Sequence, residues 1–368
     1  MLLKYLKLTN FRNHAAASLE LGENITIIIG GNGAGKTNLL EAAQYAVCGR
    51  SFRTKQLGEM VAADADFMRL KAEGSYGGAP FRRSVSLPRG AAARIDPGGG
   101  PEWLNQGAVL CFSPDDLQLI KGPPALRRRF LDESISRSRP PYREITAGYR
   151  KILAQRNSFL GRARAGFVRI SAISPWDRQM AAAALEIYRF RRAYCSLLSD
   201  HLDLAWKEIA GGTEGLAMVY QSQLEQTAES PDPEAEAVRL ITDAWAADME
   251  RLSSSFGSHR DDLKFLLGGK PLREFGSQGE QRAVVLALLL ASRNLARDQG
   301  LTLPLLLLDD VMSELDPERR RLLMAAIGGE GQAIITAADS SLFSREELRG
   351  ALVLELEGGS IGAGAASV

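Results

Sequence analysis

"NITIIIGGNGAGKTNLLEA", Asn24 to Ala42, opens as an apolar β-branched run, passes through a glycine-rich turn and continues into a helical pattern. The run Asn24–Ile29 reads as a buried parallel strand. Gly30 to Thr37, "GGNGAGKT", satisfies G-x-x-x-x-G-K-[ST], which a chain of this length matches by chance with a probability on the order of 1%. The strand before it and the helix after it are the setting this motif needs. Glycines let the backbone turn so that successive N–H groups and a helix start face a polyphosphate. Gly30, Gly31, Asn32, Gly33, Ala34, Gly35, Lys36, Thr37 and Asn38 are therefore expected to line a nucleotide site. Lys36 would reach the β and γ phosphates, and Thr37 would place its hydroxyl on Mg²⁺.

Such a loop requires a second carboxylate for the metal, at the end of a neighbouring apolar strand. "LPLLLLDD", Leu303 to Asp310, offers Asp309 as that metal partner, with Asp310 behind it to orient or deprotonate water. Read alone, an Asp pair after an apolar strand is equally a plain strand end. "FGSQGEQRAVVLALLLAS", Phe275 to Ser292, presents a second helix start. Ser277 with Glu280 three residues later is a capping box, and the same N-terminus, with the Gly279 N–H and the Ser277 hydroxyl, is also a ready anion site.

The rest of the chain fits around these segments. With 368 residues, 45% hydrophobic and 24% charged, it has the composition of an ordinary globular protein of two domains, or of one domain with a large insertion. The apolar residues at the N-terminus are broken by Lys4, Lys7 and Arg12, unlike a secretory leader, and the run Leu303–Leu308 is too short to cross a bilayer. A cytoplasmic protein with no membrane association is expected. Cys48, Cys111 and Cys195 suit neither a disulfide framework nor a four-ligand zinc site. Between Asp66 and Pro114, short alternating segments and turn clusters such as "DPGGGP" predict a β meander; Pro124 to Trp206 is helical in pattern. Strand and helix then alternate again. This predicts an α/β fold in which both ends of the chain build one mixed sheet around the P-loop helix, with a mainly helical lobe inserted. The expected limits are 1–115, 116–262 and 263–368.

Charge is uneven along this frame. From Lys121 to Arg192 there are 17 Lys and Arg against 5 Asp and Glu, a local +12; from Glu225 to Asp262 there are 10 acidic against 3 basic residues, a local −7. The arginines Arg127, Arg128, Arg129, Arg189, Arg191 and Arg192 are candidates for phosphate contact, with pairing to the acidic segment as the alternative. No motif points to base-specific readout.

The order P-loop, "GSQGEQR", "LLLLDD", "SELD" resembles the ATP-binding-cassette ATPases. Within them, "LTNFRNH", "GPPALRRRFLD", "YRKILAQRNSFL", "GSHRDDL" and "LLLLDDVMSELD" resemble the RecF family of bacterial recombination-repair proteins over nearly the whole chain. The resemblance implies an ABC-type head and an ATP-dependent homodimer, with weak, DNA-stimulated ATPase activity. It implies binding to single- and double-stranded DNA at gaps or junctions, and RecA loading with RecO and RecR. It also implies that Ser277, Gly279 and Glu280 serve a nucleotide held by the other subunit, that Ser313–Asp316 runs along the dimer seam, and that Arg12 and Asn13 approach the nucleotide. Departures from the superfamily pattern are Ala337 where a His is usual and Asp310 where a Glu is usual, the latter implying slow hydrolysis. Gln118 is a candidate Q-loop residue, and Ser258 stands where Pro is expected. The competing reading is the ATP-hydrolysing subunit of an ABC transporter.

Overall fold

The computed structural model describes residues 1–96, 108–210, 214–357 and 360–363; most of the "DPGGGP" cluster lies outside them. The chain divides into two units, one of residues 1–117, 204–213 and 277–368, the other of residues 118–203 and 214–276.

The first unit holds two sheets. The six-stranded one runs, in order, Ser360–Ala363, Leu352–Glu357, Ile25–Ile29, Ala333–Ala337, Leu305–Leu308 and Val109–Phe112. Its four central pairings are parallel and the pairing to Ser360–Ala363 is antiparallel, so the sheet is mixed. Parallel strands covered on both faces need side chains that tolerate burial everywhere, and the segments ITIII, LLLL and AIITA supply them. Leu305–Leu308 and Ala333–Ala337 are buried at every position. Each such Leu or Ile contributes about 1.5–3 kcal/mol by leaving water. The register sets Ile29 beside Ala337, and Leu308 beside both Ile335 and Phe112. The residues that follow these strand ends, Gly30 and Asp309, therefore emerge at one carboxyl edge, where open α/β sheets bind ligands.

The second sheet, antiparallel, runs His14–Glu20, Leu2–Phe11, Phe67–Tyr76, Ala79–Pro88 and Arg94–Asp96. Phe67–Tyr76, Ala79–Pro88 and Arg94–Asp96 form the expected meander, joined to the N-terminal strand, whereas Val109–Phe112, at the end of the same predicted span, instead pairs parallel with Leu305–Leu308 in the six-stranded sheet. Period-2 alternation in the antiparallel sheet sends Leu6, Leu8, Met68, Leu70, Ala72, Val85 and Leu87 into the core that they share with the helix Lys36–Cys48. Arg83 breaks that pattern: it is buried and donates to the Val47 carbonyl, where a cation suits the end of the helix.

The second unit is mainly helical, with Pro124–Ser138, Pro140–Arg164 and the larger part of Ser174–Ala210 beside a three-stranded sheet, Lys270–Pro271, Asp262–Leu267 and Leu216–Gln221. Two further helices, Pro233–Asp243 and Trp245–Arg251, follow, the second closed by Leu252 in the left-handed region (φ 52°). Two buried ionic networks tie the unit together. Arg156 is wholly buried and donates to Asp177 (2.7 Å), Asp248 (2.7 Å) and Ser254 (2.7 Å). Arg191 donates to Asp132 (2.9 Å) and Asp261 (2.7 Å), and Tyr220 donates to the same Asp261 oxygen (2.5 Å). A buried charge is tolerable only when paired in this way.

Candidate functional site

The helix Lys36–Cys48 begins behind Gly35, whose left-handed backbone (φ 107°) supplies no side-chain cap. A Cβ at Gly35 would sit 2.5 Å from His14 Nε2, and one at Gly30 would sit 2.7 Å from the Leu356 carbonyl, so both positions are confined to glycine. An uncapped helix start leaves N–H groups open to a ligand. Lys36 turns back on the loop, its Nζ donating to the carbonyls of Gly30 (2.6 Å) and Gly31 (3.0 Å). Residues of "RNH" back the loop. Asn13 donates to the Ala34 carbonyl (3.3 Å) and accepts from Asn38 (2.7 Å), and a His14 ring nitrogen lies 3.1 Å from the Gly35 carbonyl. Arg12 makes a two-pronged bond to Glu41 (2.8 and 2.9 Å) instead of pointing alone into the site.

Across the strand edge, Thr37 Oγ1 donates to Asp309 Oδ1 (3.0 Å) and Oδ2 (2.8 Å). The structure thus brings together the hydroxyl and the carboxylate proposed from sequence as metal ligands, although 272 residues separate them. This hard oxygen pair, beside open helix-start N–H groups and an ammonium, fits a polyphosphate with Mg²⁺. Asp309 is nearly buried, and burial raises its carboxyl above the usual range. Hydrogen bonds from Thr37 and Thr336 oppose that shift, and the Asp310 charge adds to it. Asp310 adopts the left-handed region (φ 48°), and its buried Oδ1 has no hydrogen-bond partner. An unsatisfied buried carboxylate oxygen at such a site is a place where a ligand or water is expected.

The other helix start behaves differently. Ser277 caps Gln278–Asp298 in a complete capping box. Its N–H and Oγ both bond Glu280 Oε2 (2.7 and 2.8 Å), and its Oγ accepts from Glu280 N (3.3 Å). Ser277 is exposed, and Arg319 is the nearest side chain to Gly279, 3.4 Å from where a Cβ would lie. None of the hydrogen bonds of Ser277 and Glu280 reaches the P-loop of the same chain, among the described residues. Two side-chain bonds connect the neighbourhood: Arg282 pairs with Glu314, and Ser313 donates to the Asp310 carbonyl (2.8 Å).

Three contributors escaped the sequence reading. Glu41 is wholly buried and gathers Arg12, Ser51 (2.6 Å) and Arg53 (3.5 Å); its only sequence signal is a carboxylate within the apolar helix "NLLEAA". Thr336 sits in the apolar strand Ala333–Ala337, where no motif marks it. Finally, strand alternation places Lys7, Arg69, Lys71 and Arg94 on the outer face of the meander sheet, exposed and with no ion pair among the described residues. Lys7 lies directly opposite Lys71, and Thr9 opposite Arg69.

The arginine block needs correction. Arg127 is buried, bonded through Nε and Nη2 to Asp262 (2.7 and 3.0 Å) and through Nη1 to the Gly122 carbonyl (2.9 Å). Arg191 is consumed in its buried network. Neither can offer a fork to DNA, because their donors hold the unit together; pairing with the acidic segment accounts for both. Arg128 is half-buried on the Asp261 carbonyl (2.7 Å), Arg129 pairs with Glu133 (2.9 Å), and Arg192 lies over the Tyr188 ring and 3.5 Å from Glu229. Arg189 is exposed. Gln118 is exposed at the start of a one-turn helix, and Ser258 is buried, donating to the Ala184 carbonyl (2.7 Å).

Comparison with known proteins agrees with this geometry. Residues 5–76 match the AAA domain family. The chain is 33% identical to the DNA replication and repair protein RecF of Heliobacterium modesticaldum, over 98% of this chain and 99% of that one. It is 34% identical to RecF of Moorella thermoacetica, over 97% and 95%. Among solved structures, the recombination mediator protein RecF-ATPrS of the RecFOR pathway superposes with a TM-score of 0.84 at 28% identity, covering 99% of this chain and 98% of that one. An Smc head bound to the C-winged helix domain of ScpA shares the fold alone, with a TM-score of 0.57 at 13% identity. The transporter reading is set aside, because the likeness to RecF runs end to end. Among the described residues no helix is long and apolar enough to cross a membrane.

Proposed function

The chain belongs to the RecF family of DNA replication and repair proteins, and from that premise we propose that it is an ATP-gated, DNA-binding dimer of recombinational repair. ATP binding joins two heads on gapped or junction DNA, and slow, DNA-stimulated hydrolysis parts them. The dimer supports RecA loading together with RecO and RecR, in the cytoplasm.

One observation carries the reading: a single head holds two helix starts of opposite character. The start at Lys36 is uncapped and lined for phosphates, while the start at Ser277 is capped, exposed and unattached to that loop. A site that needs both is completed by a second copy, arranged by a twofold axis so that each loop meets the partner's signature. In this scheme Lys36 and the N–H groups from Gly33 to Thr37 hold the phosphates, and Thr37 with Asp309 holds Mg²⁺, which when bound neutralises charge on the phosphate oxygens. Asp310 orients water and takes its proton. Arg12 and Asn13 brace the loop, with Glu41 behind them. For DNA, the exposed cations Lys7, Arg69, Lys71 and Arg94 of one unit and, separately, Arg189 of the other support contact with the phosphate backbone.

The test is sedimentation velocity with and without Mg-ATPγS, together with filter binding to gapped DNA across salt concentrations. A monomer under every condition, or DNA retention indifferent to nucleotide, overturns the proposal.

A further inference from the structure

We propose that Thr336 is a positioning residue for hydrolysis: its one hydroxyl ties the Asp309 carboxylate to the peptide N–H of Asp310 and so fixes the turn that aims the Asp310 side chain. The inference rests on the ATPase reading above. Thr336 Oγ1 donates its one proton to Asp309 Oδ1 (2.8 Å) and accepts from Asp310 N (2.9 Å), so the group bridges the tandem aspartates. The side chain is wholly buried in the strand AIITA, whose other members are apolar. A hydroxyl there in place of a methyl disfavours the fold unless it is bonded, and among the described residues it is bonded to these two.

What it holds is itself unusual. Asp310 is one of four non-glycine residues with positive φ among the described residues, in the left-handed region that a Cβ disfavours. Its backbone is gripped on both sides, the N–H by Thr336 and the carbonyl by Ser313 (2.8 Å). The result is a carboxylate oxygen, Asp310 Oδ1, kept buried without a partner. Strain and an unsatisfied oxygen persist only where neighbours impose them, and Thr336 is the neighbour placed to do so from the adjacent strand. The residue after it is Ala337, which brings no polar group, so Thr336 supplies the polar contact from this strand end.

The experiment compares Thr336→Val, which keeps shape and removes the hydroxyl, with Thr336→Ser, which keeps the hydroxyl. Both are also made in an Asp310→Asn background. Single-turnover hydrolysis, Mg-ATP affinity and melting temperature are read for each. The expected result is a loss of hydrolysis of about tenfold to hundredfold in Thr336→Val, within what a well-placed base provides. ATP affinity stays within about threefold, and Thr336→Ser recovers most of the rate. In the Asp310→Asn background Thr336→Val has no further effect, because the two act as a unit. Full persistence of the Val loss in that background, or equal loss of affinity and rate without rescue by Ser, overturns the proposal. A wild-type protein that binds Mg-ATP and never turns it over overturns the ATPase reading itself.

Discussion

Ser277→Ala separates two tasks that one hydroxyl performs. In the single chain, Ser277 only caps a helix, and loss of that cap costs about 0.5–2 kcal/mol. For a domain of roughly 150–250 residues this lowers the melting temperature by only about 2–4 °C per kcal/mol. In the proposed dimer, the same hydroxyl meets a phosphate of the partner's nucleotide, and a hydrogen bond to a charged group contributes about 1.5–3 kcal/mol. Twofold symmetry doubles the effect, since each dimer loses two such bonds, which makes about 3–6 kcal/mol. At about 1.4 kcal/mol per tenfold, the dimer dissociation constant should rise by roughly two to four orders of magnitude. Sedimentation equilibrium in Mg-ATPγS measures it, and calorimetry on the same samples measures stability. A dimer constant within about threefold of wild type, alongside the expected small melting shift, would mean that Ser277 is a cap and nothing more.

Three further outcomes follow from the geometry. Arg156→Met leaves Asp177 and Asp248 buried without their cation, so unfolding in urea should show a loss of about 3–5 kcal/mol; a change under about 1 kcal/mol contradicts the network. Burial lowers the His259 imidazole from its ordinary 6.5 to about 4. The unfolded chain therefore binds the proton first, and stability present above pH 6.5 is lost as pH falls towards 4, by about 2 kcal/mol at pH 5. His259→Gln should flatten that slope in pH-dependent melts, and an unchanged slope refutes the assignment. The double variant Arg69→Gln, Lys71→Gln should reduce the salt slope of DNA binding by about 2 with no change in ATP affinity; an unaltered slope removes the outer sheet face from the DNA surface.

The sequence made the nucleotide loop and the capping box legible because each is local, a few residues at fixed spacing carrying the whole signal; Asp309 became legible only through the loop that requires a second carboxylate. It failed where the deciding contact is made across strands. Thr336 reads as a β-branched strand residue, and only the parallel register, with Leu308 beside Ile335, brings its hydroxyl to the Asp309–Asp310 step. Charge counting failed for a related reason. Arg127 and Arg191 count as fully as Arg189 in a window sum, yet two of the three are buried on carboxylates of residues 132, 261 and 262. Arg69 and Lys71 stayed invisible to such a sum, although the alternation of "MRLKAEG" puts both on the exposed face of their strand.

In the proposed dimer, the capping box also bears on why a head would stay single until nucleotide arrives. Ser277 Oγ donates its one proton to Glu280, and hydrogen bonds from Ser277 hold the Glu280 carboxyl below its usual range, so the charge at this helix start is already answered within the chain. A phosphate can recruit the hydroxyl only by displacing that bond and tolerating the carboxylate beside it. The helix dipole and the remaining free N–H groups favour an anion there, whereas Glu280 opposes one. The balance suits a group of high charge held firmly by another subunit and rejects a free monovalent anion. In the proposed dimer, the feature that stabilises the isolated helix would therefore also set a threshold for closure, which nucleotide bound at Lys36 of the partner would cross.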